Sequence, residues 1–417
     1  MRIERKRYTD RLLSSMHNGM VKVITGARRS GKSFLLFNLF RSILENSGVD
    51  SSHIIAIALD DLDNVELLNN IALHKYIKSQ LKDDRMHYVF LDEIQLVPAF
   101  ETVLNSLLHL PNVDCYVTGS NSRFLSSDII TEFRGRGDEI RVYPFSFSEF
   151  MSSFNGTYHE AWKEYCLYGG MPQCASMPTS RQKEEYLKKL FEFTYLMDIV
   201  NRHNLRHPDD LSDLTKTIAS TIGNLTNPTN LQNTFKSVKK SDISRNTIVS
   251  YLNYLEDSFL IDEALRFDIK GKQYINTPLK YYFVDVGLRN ALLNFRQQNE
   301  GSIMENIIFN ELKTRGYSVD VGQVQVAEKN RNGNAVRKYL EVDFVVNQGT
   351  KRYYIQSSAS MDSDEKRQQE MASLQNIDDS FKKIIITHSE QKPWYNQQGF
   401  LILALQDFLL DENSIEF

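Results

Sequence analysis

The chain has 417 residues, 41% of them apolar and 24% charged, and a formal net charge of −4. That length exceeds one ordinary core and predicts two or three domains; the charge excludes a basic tail for nucleic acid, so any such contact must come from a local patch. Cys115, Cys166 and Cys174 are too few and too irregularly spaced for a disulfide framework or a zinc site, and no apolar run reaches about 18 residues, so a cytoplasmic protein without a membrane segment is expected.

The first strong pattern is VKVITGARRSGKSFLLFNLF, from Val21 to Phe40. An apolar strand runs into a glycine-bearing loop, and a helix follows with Leu35, Leu36, Leu39 and Phe40 on its buried side. The loop, Gly26-Ala27-Arg28-Arg29-Ser30-Gly31-Lys32-Ser33 followed by Phe34, has the spacing that cradles phosphates. Glycines let the backbone wrap closely, and successive N–H groups and the helix N-terminus supply partial positive charge. Lys32 is expected to reach the β- and γ-phosphates and Ser33 to ligate Mg²⁺.

Four more apolar strands are predicted: HIIAIALD, HYVFLDE, VDCYVTGS and DEIRVYPF. Helices around Val65–Leu81 and Ala99–Leu110 separate them, which predicts a parallel sheet covered on both faces and functional groups at the carboxyl ends of the strands. At one such end Asp92 is placed to hold Mg²⁺ and Glu93 to polarise the attacking water. Thr118, Ser120 and Asn121 end the next strand, where they serve either as sensors of the γ-phosphate or as caps of the following helix. Arg134 and Arg136 precede the fifth strand. A guanidinium there either stabilises charge on the γ-phosphate, from the same chain or a neighbouring one, or belongs to a solvated basic turn. An arginine supplied by a neighbour would require an oligomer.

In RYTDRLL, VKVITGARRSGKSFLL, VFLDEIQ, YVTGSNSRFLS, FRGRGDEIRVYPFSFSEF and YCLYGGMPQ, the chain resembles the bacterial and archaeal family of AAA-type ATPases that carry a conserved C-terminal region of undefined function. The resemblance covers about residues 5–411. It implies an ATPase site at Lys32, Ser33, Asp92 and Glu93, an arginine pair at Arg134 and Arg136, and ATP rather than GTP. The Asp92-Glu93 pair and the large appended regions fit ATPase work better than a kinase.

The middle third reads as helical. HEAWKEYCLYGGMPQ is a helix stopped by Gly169-Gly170, and RQKEEYLKKLFEFTYLMDIVNRH is a long amphipathic helix. From Asn230 to Asn276 the pattern is helix, turn, helix, hairpin: Ile248, Leu252 and Leu255 form a buried stripe, Ser244, Arg245 and Asn246 open the exposed side, and the hairpin turns at Lys270-Gly271-Lys272. This is the outline of a winged helix, with Lys236, Lys239, Lys240, Arg245, Lys270 and Lys272 available to double-stranded DNA. A protein-interaction or packing domain of the same shape is the alternative.

The last third alternates a helix carrying Met304, Ile307, Ile308 and Leu312, three strands, a charged helix and a further strand. This order resembles the restriction-endonuclease-like fold, in which a helix glutamate, a strand aspartate, then Glu or Gln, any residue, and Lys surround a divalent metal. On this chain Glu305, Asp343 and Gln356 match, while Ser358 stands at the lysine position. Period two places Glu341 on the same strand face as Asp343. Lys351 or Arg352 is left as a spatial substitute for the lysine, and a fold kept for binding or packing outweighs a working nuclease.

The expected architecture is therefore an α/β chain in three parts. A P-loop NTPase parallel sheet with helices on both faces spans residues 1–150, a helical and winged-helix-like domain 151–280, and a catalytically degenerate endonuclease-like α/β domain 281–417. The expected function is Mg²⁺-dependent ATP binding and hydrolysis coupled to rearrangement of C-terminal parts that bind DNA or a protein. A slow nucleotide-dependent binding switch and an ATP-regulated nuclease are the alternatives.

Overall fold

The computed structural model describes residues 3–119, 135–239, 242–296, 299–329, 335–359, 364–388 and 391–416. Its compact units are two: residues 1–144 with 257–259, and residues 145–256 with 260–417.

The first unit is built on five strands, β1 (Val21–Thr25), β2 (Ile54–Ala58), β3 (His87–Asp92), β4 (Val113–Thr118) and β5 (Gly137–Arg141), in the order β2-β3-β4-β1-β5. Every pair is parallel. Unbroken apolar runs such as YVFL suit a sheet that has no solvent face, and both faces are indeed covered. On one, Val23, Val89, Leu91 and Val117 pack against Leu73 and Ile77 of α4 (Asn70–Gln80) and Val103, Leu104 and Leu107 of α5 (Phe100–Leu107). On the other, Ile24, Phe90, Tyr116 and Ile140 meet Tyr8 and Leu12 of α1 (Lys6–Ser14) and the apolar stripe Leu35, Leu36, Leu39 and Phe40. That stripe lies on a continuous helical run: α2 (Lys32–Phe34), a π-helical stretch Leu35–Phe40, and α3 (Arg41–Asn46).

The second unit carries eight strands: β6 (Ile261–Asp268), β7 (Gln273–Phe283), β8 (Ser318–Lys329), β9 (Ala335–Gln348), β10 (Lys351–Ser358), β11 (Lys382–Thr387), β12 (Trp394–Tyr395) and β13 (Leu401–Ala404). They form one mixed sheet in the order β12-β13-β11-β10-β9-β8-β6-β7. The expected boundary between residues 280 and 281 falls inside β7. The hairpin that sequence assigns to a separate wing is the edge of the large sheet: β6 pairs in parallel with β8, Arg266 opposite Val321. The physical reason is a shared core, in which Ala264 and Tyr282 of the hairpin join Phe147 and Phe150, Ile303–Leu312 of the long helix, and Phe344, Ile355 and Ile384.

The predicted helices of this unit are present. Tyr158–Tyr168 stops at Gly169, with φ 70°, and Arg245–Asp257 buries Ile248, Leu252 and Leu255 as expected, with Tyr251 beside them. Asp285, which is buried, ties the glycine pair down. Its carboxylate accepts the Gly170 N–H at 2.7 Å and the Leu288 N–H at 2.9 Å, so it caps helix Val286–Leu292 and anchors the YGGMP turn together. Among the described residues, no helix is long and apolar enough to cross a membrane.

Candidate functional site: a phosphate loop and an acidic strand end

Parallel registration brings the site together. Ile24 lies opposite Thr118, and Leu91 opposite Val117, so the ends of β1, β3 and β4 finish side by side. Asp92 and Thr118 thus stand next to the loop that leaves β1, at the carboxyl edge where this sheet class places ligands.

The loop begins at Gly26, whose φ is 131° and where a Cβ would lie 2.0 Å from the Val142 carbonyl oxygen. Only glycine fits there. Arg29 and Gly31 are also left-handed, and Gly31 caps the helix that starts at Lys32. Lys32 is buried, and its Nζ donates to the carbonyls of Gly26 and Ala27, each at 2.9 Å. Burial pushes its pKa down to about 8, against the pull of Glu93 and Asp92 and with a smaller push from Arg28. Ala27 and Ser30 are buried in the loop floor, and the Ser30 hydroxyl is buried there without a hydrogen-bond partner. Arg29, Ser33 and Phe34 are exposed, and Arg28 is half-buried.

The Thr118 hydroxyl donates to the Asp92 carboxylate, and the Ser33 hydroxyl lies close enough to favour the charged form of Asp92. Burial is the main cause that raises the Asp92 carboxyl above its ordinary range, and the two hydroxyls oppose it. A serine hydroxyl beside a carboxylate is the hard-oxygen pair that suits Mg²⁺, an ion that takes one or two carboxylates and completes its shell with phosphate and water. Glu93 follows with φ 51°, a left-handed conformation at a non-glycine position. Its N–H donates to Thr118 Oγ1 at 3.1 Å, and Gln95 hydrogen-bonds its carboxylate. The strand ends in a held turn that sets Glu93 off from Asp92; such outliers concentrate where surrounding structure fixes a functional group.

Of the other expected site residues, Ser120 and Arg134, with Asn121, lie outside the described residues. Arg136 is exposed beside the start of β5, where its carbonyl accepts the Val21 N–H at 2.9 Å. Val21 opens β1 and Lys32 follows its far end. Arg136 therefore stands at the opposite edge of the sheet, a strand length of roughly 15 Å away. It cannot serve the loop of its own chain in this arrangement.

Among the described residues, the group of His, Cys, Asp and Glu side chains close enough to share an ion is His53, Asp83 and His87. It lies at that same opposite edge, and hydrogen bonds hold it together: His53 Nε2 with Asp83 at 3.0 Å, and the Lys82 N–H to His87 Nε2 at 3.1 Å.

A second charged cluster sits in the eight-stranded sheet. Lys280 of β7 is buried and donates to Glu305 at 2.9 Å and Glu341 at 2.6 Å, and Tyr282 donates to the same Glu305 oxygen at 2.6 Å. Asp343, also buried, accepts the Ser357 N–H at 2.8 Å, and its own N–H donates to Gln356 at 3.4 Å. Burial, then Glu305, drives the Asp343 carboxyl well above its usual range. Burial works against the Lys280 ammonium, but Glu305, Asp343 and Glu341 together hold its pKa above the ordinary lysine value. The structure thus brings Glu305, Glu341, Asp343 and Gln356 together as the sequence pattern anticipates. The lysine comes from β7, not from the expected substitutes: Lys351 pairs with Glu416 at 2.9 Å and Arg352 donates to Asn347 at 2.8 Å. Alternation along NTPLKYYF puts Lys280 and Tyr282 on one face, but nothing local points that face at Asp343.

The positive field foreseen near the expected helix-turn-helix is partly spent. Lys236 pairs with Asp242 at 3.5 Å and Lys239 with Asp213 at 2.9 Å. Arg245, Lys270 and Lys272 are exposed, and Lys240 lies outside the described residues.

Residues 18–151 match the family model of an AAA domain, and residues 159–299 match a domain of unknown function, DUF8612. The chain is 32% identical over 417 residues to an uncharacterized protein of Haemophilus influenzae, covering 98% of each. It is 28% identical over 342 residues to uncharacterized protein MJ1544 of Methanocaldococcus jannaschii, covering 78% of this chain and 72% of the relative. Among solved structures, Cdc6p from Pyrobaculum aerophilum aligns with a TM-score of 0.31 and 12% identity, over 73% of this chain and 94% of that one, too slight a likeness to build on.

Proposed function

The chain belongs to the family of its Haemophilus influenzae relative and carries an AAA-type P-loop domain, and on that premise we propose that it binds ATP with Mg²⁺ and hydrolyses it. The observation that supports this reading is the convergence of Lys32, Ser33, Asp92, Glu93 and Thr118 at one sheet edge. Ser33 and Asp92 would hold the metal, which when bound neutralises charge on the β- and γ-phosphates. Lys32 leaves the Gly26 and Ala27 carbonyls to meet phosphate oxygen. Glu93 accepts the proton of the attacking water, and Thr118 keeps Asp92 and the Glu93 backbone in register. Any arginine acting from Arg136 belongs to a second copy of the chain. Lys32→Ala is expected to lower turnover on the order of 100-fold or more, and Glu93→Gln to keep ATP binding while losing turnover. Unchanged turnover in Lys32→Ala overturns the assignment.

One observation favours a slower, switch-like enzyme: Glu93 is engaged by Gln95. Under that reading Gln95→Ala raises the hydrolysis rate; a rate that stays the same or falls counts against it.

We further propose that the second unit is a binding scaffold with an endonuclease-like sheet and a helix-turn-helix segment, rearranged by the ATP cycle and not itself a nuclease. Lys280, set between Glu305 and Glu341, supplies from within the chain the positive charge that a cation would bring. Plasmid cleavage with Mg²⁺ or Mn²⁺ that is lost in Asp343→Ala would reverse this reading. Comparing ATP turnover with and without duplex DNA tests the exposed face at Ser244–Asn246: stimulation points to DNA as the cargo, and no effect points to a protein.

A further inference from the structure

Arg5 precedes α1, in a stretch whose basic character alone suggests solvent. It is instead buried, at 3% exposure. Its guanidinium donates through one nitrogen to the Ser30 carbonyl at 2.8 Å and through the other to the Tyr143 carbonyl at 2.7 Å. The Tyr8 ring lies against it, 4.5 Å from centroid to guanidinium, and the Tyr8 hydroxyl accepts the Tyr143 N–H at 3.1 Å.

Two consequences follow from these contacts. A trans peptide plane points its carbonyl and the next N–H in opposite directions. A guanidinium that holds the Ser30 oxygen therefore turns the Gly31 N–H the other way, and Gly31 is the residue that opens the helix at Lys32. Such N–H groups are what a phosphate loop offers its ligand. The second consequence concerns the other end of the loop. Gly26 abuts Val142, and the Val142 N–H donates to the Thr25 carbonyl at 2.7 Å. Both ends of the loop are thus fastened to residues 142–143, just before the chain leaves the first unit after Pro144.

We propose that Arg5 is a positioning residue for nucleotide binding: its guanidinium, backed by Tyr8, sets the Ser30–Gly31 peptide and locks the phosphate loop to the segment at Tyr143. The proposal rests on the ATP-site reading above. In this arrangement a loop that shifts to admit phosphates carries residues 142–144 with it. Arg5 touches neither phosphate nor metal in this role.

The test uses the full chain, a fluorescent ATP analogue for affinity, and hydrogen exchange at residues 142–146. Arg5→Gln is expected to weaken binding about tenfold or more, the scale of lost charge-assisted hydrogen bonds, and Arg5→Lys to recover part of it. In the wild type, nucleotide slows exchange at residues 142–146, and in Arg5→Gln that slowing is lost even at saturating nucleotide. A merely structural role would lower thermal stability without removing the nucleotide-dependent exchange. If Arg5→Gln fails to fold, Tyr8→Phe, which removes only the hydroxyl on Tyr143, is expected to reduce the same exchange response. Wild-type affinity and exchange response in the foldable variants overturn the proposal, provided Lys32→Ala abolishes binding. Binding that survives Lys32→Ala overturns the ATP-site reading instead.

Discussion

Two buried lysines among carboxylates, Lys32 in the first unit and Lys280 in the second, have opposite fates. Among the described residues, the Lys32 Nζ is hydrogen-bonded to the carbonyls of Gly26 and Ala27 alone, and burial pushes its pKa down to about 8. Lys280 is paired directly with Glu305 and Glu341, and its pKa is held above the ordinary value. The first ammonium is desolvated but weakly neutralised, so a phosphate gains by meeting it. The second is already neutralised, and displacing it would leave the half-buried Glu305 and the buried Asp343 without their nearby positive charge. The presence of a lysine near acids therefore does not mark a site; what it is bonded to does.

This contrast breaks most sharply at Lys280. Lys280→Ala should destabilise the chain by up to about 3–5 kcal/mol in urea unfolding, because it takes the buried counter-charge away from the half-buried Glu305 and the buried Asp343. A loss below about 1 kcal/mol would mean that the cluster is not held by this ion pair. Lys32→Ala should change the stability of the nucleotide-free protein little. What it should remove is the gain from ATP, about 2.7 kcal/mol when nucleotide is at 100 times its dissociation constant, read as a missing shift in the melting temperature.

The pH dependence of ATP affinity sharpens the same point. Binding uses the charged Lys32. Below pH 8 that charge is already present in the free protein, so affinity is flat with respect to this group. Above it, binding must take up a proton, and affinity should fall by up to about tenfold per pH unit. Calorimetry at pH 7, 8 and 9 checks this, and an affinity that is level across that range would contradict a buried lysine at the phosphate. The smallest effect belongs to Lys351→Ala. Its ion pair with Glu416 is exposed, so a stability change under about 1 kcal/mol is expected, against the large change at Lys280.

The candidate nucleotide site was legible because its parts are local. A glycine-spaced loop between a strand and a helix, and acids at the end of an apolar strand, carry their chemistry in short windows. Parallel pairing then fixes where they meet. Arg5 was not legible: nothing in MRIERKRYTDR distinguishes a buried guanidinium from its exposed neighbours. Arg136 illustrates the converse, since its place before a strand drew it toward the phosphates, while the direction of that strand puts it at the other edge.

The sequence by itself determined the phosphate loop, its acidic partners, the covered parallel sheet, and the carboxylate face at Glu341 and Asp343, because periodicity and loop chemistry act over a few residues. Tertiary structure alone decided that the 261–283 hairpin joins the large sheet, that Lys280 supplies the charge absent at Ser358, and that Arg5 clasps Ser30 to Tyr143. Each of these joins residues 25 or more positions apart. Such pairings are selected by a shared core and by the need to satisfy buried charge, which no local pattern encodes.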